Sequence, residues 1–368
     1  KNFRKTSNIN SIAITGSSGK TSLKELLGRS LNKLSSTFYT RKSFNNKFGV
    51  PISLLNIHKK NLYGVFEIGM DKKGEINELS KIVKPEIGVI TNISYAHIKN
   101  FKNISKIAEA KSELIDNIAE NGTMVLNKDD NFFNFFKNKA IKKNLKIISF
   151  SKKKIADVQF IKCIKKKSYY SITVKIQNKI KKFLVNEENY LYIDNILAAI
   201  AVISNFIDIE NLNNKLFLNF TIPNGRGNKI NLKIGTKNLK IIDETYNSNP
   251  LSLKFAVHKF NKIGINNKRK NILLGDMLEL GKFSKNLHIK IAKFINKSNT
   301  NKIYVYGKHI RHTFDKIKTH KKGKIFKNKN QIIDFIKNDL SNNDYLMIKG
   351  SNATGLNKVV SKFNRGVI

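Results

Sequence analysis

Residues 11–34, SIAITGSSGKTSLKELLGRSLNKL, constrain the fold more than any other stretch of the chain. Ile12, Ala13 and Ile14 read as a buried strand, and Leu23, Leu26, Leu27, Leu31 and Leu34 recur at helical spacing. A glycine-rich turn, Gly16-Ser17-Ser18-Gly19, therefore joins a strand to a helix N-terminus. Such a turn aims backbone N–H groups at an anion while the helix dipole adds positive potential, so the pattern predicts a phosphate site. In that reading Lys20 reaches the terminal phosphates and the Thr21 hydroxyl holds Mg²⁺. The turn is a shorter variant of G-x-x-x-x-G-K-[ST], because the residue five before Gly19 is Ile14 and the first glycine is Gly16. An ordinary strand-turn-helix joint has the same local pattern, and the turn alone leaves both readings open.

Further along, predicted strands at 11–15, 64–67 and 87–91 alternate with helical patterns at 21–34, 75–83 and 104–118, which argues for a parallel sheet covered by helices. From 154 to 185 the pattern changes to short alternating segments such as SYYSITVKI, expected to form antiparallel hairpins, and a helix is predicted at 189–206. Pro223, Gly225 and Gly227 punctuate the chain, and a second alternating series begins at Leu239. The expected class is α/β. A P-loop-type central ATPase domain with a mostly parallel sheet would occupy residues 1–228, and a C-terminal Rossmann-like α/β domain residues 229–368.

The 368 residues suffice for two or three domains. The longest apolar candidate, 196–203, falls far short of the roughly 18–20 residues a membrane span needs. There is no signal-peptide pattern, and the single cysteine, Cys163, excludes an internal disulfide framework, so the expected location is the cytoplasm. The net charge of +43 invites a nucleic-acid reading. Yet only 7 of the 69 basic residues are arginine, and the lysines run through the whole chain without interleaved aromatics. Drift toward a Lys/Asn/Ile-rich composition explains this better than a dedicated surface, and no specific nucleic-acid partner is expected.

Three strand ends carry polar groups where open α/β sheets gather ligands. They are Gly16–Thr21, Glu67 in VFEIG, and TNISYAH at 91–97. Glu67 alone reads equally as a solvated strand end, and His97 alone as a structural histidine. Together with Thr21 they make an oxygen and nitrogen set suited to Mg²⁺ beside a triphosphate. Lys111 occupies the apolar stripe of Ile104, Ile107, Ala108, Leu114, Ile115 and Ile118. Either it snorkels to the surface, or its pKa is depressed and the free amine takes up CO₂ as a carbamate that faces a metal.

The segments ITGSSGKTS, FNNKFGVP, FEIGMDKKGEI, TNISYAHIKNF, IAEAKSEL, DETYNSNP, LLGDMLELG and MIKGSN, in that order, resemble the Mur ligase family. The resemblance implies an enzyme in which ATP phosphorylates a peptide carboxylate and an incoming amine attacks the acyl phosphate, giving an amide, ADP and phosphate. YNSNP with GDMLELG implies the branch joining D-alanyl-D-alanine to UDP-N-acetylmuramoyl-tripeptide in peptidoglycan precursor synthesis, with the chain acting as a monomer. By resemblance, Lys20 and the backbone of Gly16, Ser17, Ser18 and Gly19 hold the phosphates. Thr21 and Glu67 bind one Mg²⁺, and His97 and carbamylated Lys111 a second. Asn195 lies near the adenine, although helix packing also explains it. Arg226 reaches the phosphates from the domain junction, and Asp243, Tyr246, Asn247 and Asn249 close the ATP site. Lys20, Lys111, His97 and Arg226 form the expected catalytic set.

Asn45 and Asn46 are expected to meet the muramoyl-peptide, and Lys349 and Ser351 the dipeptide side. The family also has an N-terminal domain that grips the UDP-muramoyl part, and the expectation is a chain without it. The arginine usual after KGS is Asn352 here, which removes one expected substrate contact. The alternatives left open are another Mur-type amino-acid ligase, or a decayed ligase serving as a basic binding protein.

Overall fold

The computed structural model describes residues 9–187, 189–263 and 269–364. They form two units, one comprising residues up to Ile93 with Phe101–Thr221, the other Ser94–Asn100 with the chain from Ile222 onward.

The first unit is built on β1 (Asn10–Thr15), β2 (Thr37–Tyr39), β3 (Tyr63–Glu67), β4 (Ile87–Ile90), β5 (Thr123–Asn127), β6 (Lys146–Ser151), β7 (Val158–Lys165), β8 (Tyr170–Ile176) and β9 (Lys179–Val185). Their order is β2-β3-β1-β4-β5-β6-β7-β8-β9, parallel as far as β7 and antiparallel through β8 and β9. β3 and β4 are buried at every position, the mark of strands covered on both faces. The covering helices include α1 (Lys20–Asn32), α2 (Gly49–Leu55), α3 (Glu75–Val83), α4 (Ile104–Asp116), α5 (Phe133–Lys142) and α6 (Ile193–Ile203). The α6 stretch lies inside the predicted 189–206 helix, and an additional helical turn covers Asn189–Tyr192. Because β1 lies between β3 and β4, the chain leaves one side of β1 for the other there. The carboxyl ends of these three strands therefore open onto a single crevice.

The second unit has β10 (Asn228–Ile234), β11 (Lys237–Glu244), β12 (Lys270–Gly275), β13 (Lys302–Tyr306), β14 (Lys322–Phe326) and β15 (Tyr345–Lys349), ordered β10-β11-β15-β12-β13-β14. Only the β10–β11 hairpin is antiparallel. Its helices include α7 (Pro250–Asn261), α8 (Ser284–Asn296), α9 (Arg311–Asp315), α10 (Lys329–Asp334) and α11 (Leu356–Asn364). A core of Leu239, Ile241, Leu273, Leu346, Ile348, Phe335 and Val359 fills the space between the sheet and α10–α11. Since β10 pairs along its whole length with β11, Asn228 is already part of this sheet. No helix among the described residues is long and apolar enough to cross a membrane.

His288, fully buried on α8, ties that helix to the segment after β12. Its Nε2 accepts from Met277 N–H at 3.2 Å while Nδ1 lies 2.8 Å from the Ser284 carbonyl, an arrangement that requires the neutral ring with the proton on Nδ1. Burial is the main cause holding its pKa below the ordinary 6.5. The bond to Ser284 and the Asp276 charge oppose the shift, and His309 and His312 add to it. A depressed folded pKa means the unfolded chain binds more protons. The stabilisation is therefore complete above pH 6.5 and is lost as pH falls through the folded value. Protection factors of the α8 and β12 amides, which correct for the slowing of intrinsic exchange in acid, should fall on acidification from pH 7, and His288→Asn should flatten that dependence.

Candidate nucleotide and ligase site

In the first unit the glycine turn is held from β4. Gly16 has φ +144° and Gly19, the residue before α1, φ +85°. A Cβ on Gly16 would lie 1.9 Å from Thr91 Oγ1, so only glycine lets the turn pass so close to the β4 end. Thr91 Oγ1 donates to the Ser18 carbonyl at 2.7 Å and Asn92 Nδ2 to the same oxygen at 3.0 Å. Ser17 N–H donates to the Asn92 carbonyl at 2.8 Å and Ser18 N–H to Asn92 Oδ1 at 3.1 Å. These two amides are thus engaged by Asn92. Lys20 folds back, its Nζ 2.8 Å from the Gly16 carbonyl. Asn195, in the first turn of α6, has Oδ1 3.2 Å from where a Gly19 Cβ would stand, so its amide lies over the turn itself.

The end of β3 supplies a buried carboxylate. Glu67 Oε2 accepts from Thr21 Oγ1 at 2.7 Å and Oε1 from Asn45 Nδ2 at 2.7 Å, while Ser43 Oγ stands 3.5 Å from Thr21 Oγ1. Glu67 is 1% exposed, so these are charge-assisted bonds in a low-dielectric setting. Asn46 has a different partner set. Its Oδ1 accepts from Phe48 and Gly49 N–H and so caps α2.

Lys111 on α4 is also 1% exposed, and no hydrogen-bond acceptor meets its Nζ among the described residues. Burial, aided by the Lys20 charge, holds its pKa well below the ordinary lysine range, which makes the free amine accessible.

The second unit carries the remaining predicted residues. His97, with φ +57°, places Nδ1 2.6 Å from Oε2 of Glu279, itself at φ +63°. The hydrogen bond from His97 is the largest cause keeping the Glu279 carboxyl below its usual range. Arg226 stacks on Tyr246, its guanidinium 3.9 Å from the ring centroid. Backbone bonds from Gly227 N–H to Asp243 and from Tyr246 N–H to Gly225 strap the arginine's loop to the end of β11. Asp243 accepts from Thr245 N–H and Oγ1, and burial pushes its pKa up. Asn247 Oδ1 accepts from Ser248 N–H, and Asn249 caps α7 in a reciprocal pair with Ser252. Lys349, 1% exposed, sits 3.0 Å from the Asn247 carbonyl and 3.4 Å from Glu244 Oε2, with its pKa lowered by burial. Ser351 Oγ accepts from Leu278 N–H, joining the segments after β15 and β12.

The structure therefore gathers Gly16–Thr21, Glu67, Asn45 and Asn195 in one crevice of the first unit, with Lys111 near enough to sense the Lys20 charge. Residues 14–203 match the Mur ligase middle domain and residues 226–352 the Mur ligase, glutamate ligase domain. The chain belongs to the Mur ligase family. Mur ligases are ATP-dependent enzymes that form peptide bonds, and the chain is one of them. It is 32% identical to UDP-N-acetylmuramoyl-tripeptide–D-alanyl-D-alanine ligase of Rickettsia prowazekii, over 98% of this chain and 79% of that protein. The ligase of the same name from Buchnera aphidicola subsp. Baizongia pistaciae is 32% identical, over 98% and 76%. Among solved structures, MurF from Acinetobacter baumannii superposes with a TM-score of 0.87 at 26% identity, covering 99% of this chain and 78% of that one.

Several members of this Mur ligase's site escape a sequence reading. Thr91 and Asn92 fall in a segment singled out for its histidine, yet they lock the turn. Lys24, fully buried on α1, pairs with Glu25 and donates to the Thr40 and Lys42 carbonyls at 2.6 and 2.8 Å, anchoring the segment that carries Ser43 and Asn45. Its only sequence signal is a lysine beside Leu23 and three residues before Leu27, the same kind of intrusion that marks Lys111. Glu279 lies in the GDMLELG motif, but nothing in that motif marks it as the partner of His97.

Gly16→Ala must push the turn off Thr91 at a backbone angle an L side chain resists, a strain of order 1–3 kcal/mol. ADP affinity measured by calorimetry should fall about tenfold or more, with the far-ultraviolet circular dichroism unchanged.

Proposed function

We propose that this Mur ligase joins D-alanyl-D-alanine to UDP-N-acetylmuramoyl-tripeptide in the cytoplasm, through an acyl phosphate and at the expense of ATP. The observation that carries the reading is the extent of the likeness, since 98% of the chain aligns at 32% identity with a relative of that name.

The residues fit the nucleotide. Left-handed Gly19 leads into the α1 N-terminus, where an anion is stabilised by N–H groups and the helix dipole, and Lys20 adds a mobile positive charge. They also fit Mg²⁺, because Thr21 Oγ1 and Glu67 Oε2 offer a hydroxyl and a carboxylate oxygen 2.7 Å apart. When bound, Mg²⁺ neutralises charge on the β and γ phosphates. Asn45 holds the second Glu67 oxygen and so fixes the plane of the carboxylate. His97 and carbamylated Lys111 are assigned to a second Mg²⁺. Glu279 Oε2 stands 2.6 Å from His97 Nδ1, so Nε2 would be the nitrogen that faces the metal. Arg226 is assigned to the phosphates, with Tyr246 supporting its guanidinium plane. Asp243, Asn247 and Asn249 shape that loop, while Asn195 borders the nucleotide. Asn46, Lys349 and Ser351 act on substrate indirectly, by capping α2 and holding the segments around them.

Two experiments test this assignment. Phosphate release from ATP should require both UDP-N-acetylmuramoyl-tripeptide and D-alanyl-D-alanine, single amino acids should not replace the dipeptide, and Lys20→Ala should abolish release. Release with a single amino acid instead would move the chain to another branch of the family. Separately, ¹³C-bicarbonate should give a carbamate resonance in the wild type that is absent in Lys111→Ala. A spectrum without it would leave Lys111 as a buried amine.

A further inference from the structure

The three antiparallel strands β7–β9 form a ribbon whose two faces differ sharply. One face carries Ile172, Val174 and Phe183, all fully buried, with Phe183 edge-on to Phe217. On that side Lys179 pairs with Asp208 and Glu210, Lys181 donates to the Glu210 carbonyl, and Lys165 lies over the Tyr170 ring. On the opposite face the register lines up Lys162, Thr173 and Lys182 in one cross-strand row, with Lys175 beside Ile180 in the next. Ile180 is 69% and Ile164 43% exposed. Lys162, Lys175 and Lys182 make no ion pair among the described residues, and no member of the face is a carboxylate. Lys166 and Lys167, both exposed in the β7–β8 turn, extend the positive potential along the same end of the ribbon.

We infer that this outer face of β7–β9 docks on an anionic lipid surface. Unpaired ammonium groups interspersed with exposed aliphatic side chains match a boundary where lipid phosphates lie next to acyl chains. Protection of the sheet edge does not account for the pattern, because it would need charge only on the outermost strand β9, whereas Lys162 and Lys175 lie on β7 and β8. A second copy of the chain would present the same sign of charge and be repelled. Nucleic acid is disfavoured because the face has no arginine to fork onto phosphates and no aromatic ring on which a base could stack.

The test is co-sedimentation of the full chain with vesicles of phosphatidylcholine alone or mixed with phosphatidylglycerol. Binding should appear only with the mixed vesicles. At about 1 kcal/mol per lysine near an anionic surface, the triple variant K162E/K175E/K182E should lose roughly 100-fold or more in partitioning. K285E/K290E/K297E changes exposed lysines of the second unit and alters net charge equally, so it should keep most of the binding. Ile180→Ser should weaken what binding survives at high salt, where electrostatics are screened. The milder K162Q/K175Q/K182Q variant, with ADP binding as the check on folding, should show a smaller loss in the same direction. Equal loss in the two charge-reversal triples would overturn the inference in favour of bulk charge. So would equal binding to neutral vesicles, or binding to a single-stranded oligonucleotide without binding to mixed vesicles.

Discussion

A single buried carboxylate organises the candidate site. Glu67 ends β3, a strand flanked by β2 and β1 and buried on both faces, and its oxygens are satisfied by Thr21 from α1 and Asn45 from the segment after β2. A carboxylate so placed is stable only while its donors remain. Displacement of α1, or of the 40–47 segment, would strand it. The bonds that stabilise Glu67 therefore also hold the glycine turn in register with the Thr21 and Glu67 oxygens, and Lys24 reinforces the arrangement by tying α1 to the same segment.

Three lysines, Lys24, Lys111 and Lys349, are no more than 1% exposed, and each has a different environment. Lys24 is saturated by two carbonyls and a carboxylate, Lys349 is shared between a carbonyl and Glu244, and Lys111, which meets no acceptor among the described residues, feels the like charge of Lys20. In a low dielectric an ammonium with neither acceptor nor counter-charge tends to shed its proton. That physical difference sets Lys111 apart from the other two, which act as structural ties, although all three look alike as lysines near apolar helix or strand positions.

Surface lysines divide in a similar way. The chain's net charge of +43 spreads over both units and has no meaning position by position. Pairing decides where it counts. On one side of the β7–β9 ribbon Lys179 is matched by Asp208 and Glu210, and on the other Lys162, Lys175 and Lys182 make no ion pair among the described residues, although both sets come from the same short strands.

Much of the architecture follows from sequence alone. The period-two and helical repeats, the Gly16–Gly19 turn and the punctuation at Pro223–Gly227 determine the element types and the α/β class, because those signals are local consequences of backbone geometry. The motifs likewise place Lys20, Thr21, Glu67 and Lys111 in an ATP-dependent ligase. Only the tertiary structure decides what those residues touch. It shows that Asn92 engages the Ser17 and Ser18 amides and that Asn46 and Asn249 are spent as helix caps. It also groups residues 94–100, with His97, in the second unit beside Glu279. The two caps are local, but Asn92 and the glycine turn, and His97 and Glu279, lie tens to nearly two hundred residues apart in the chain. A hydrogen bond between them depends on strand order and register, which no local pattern encodes.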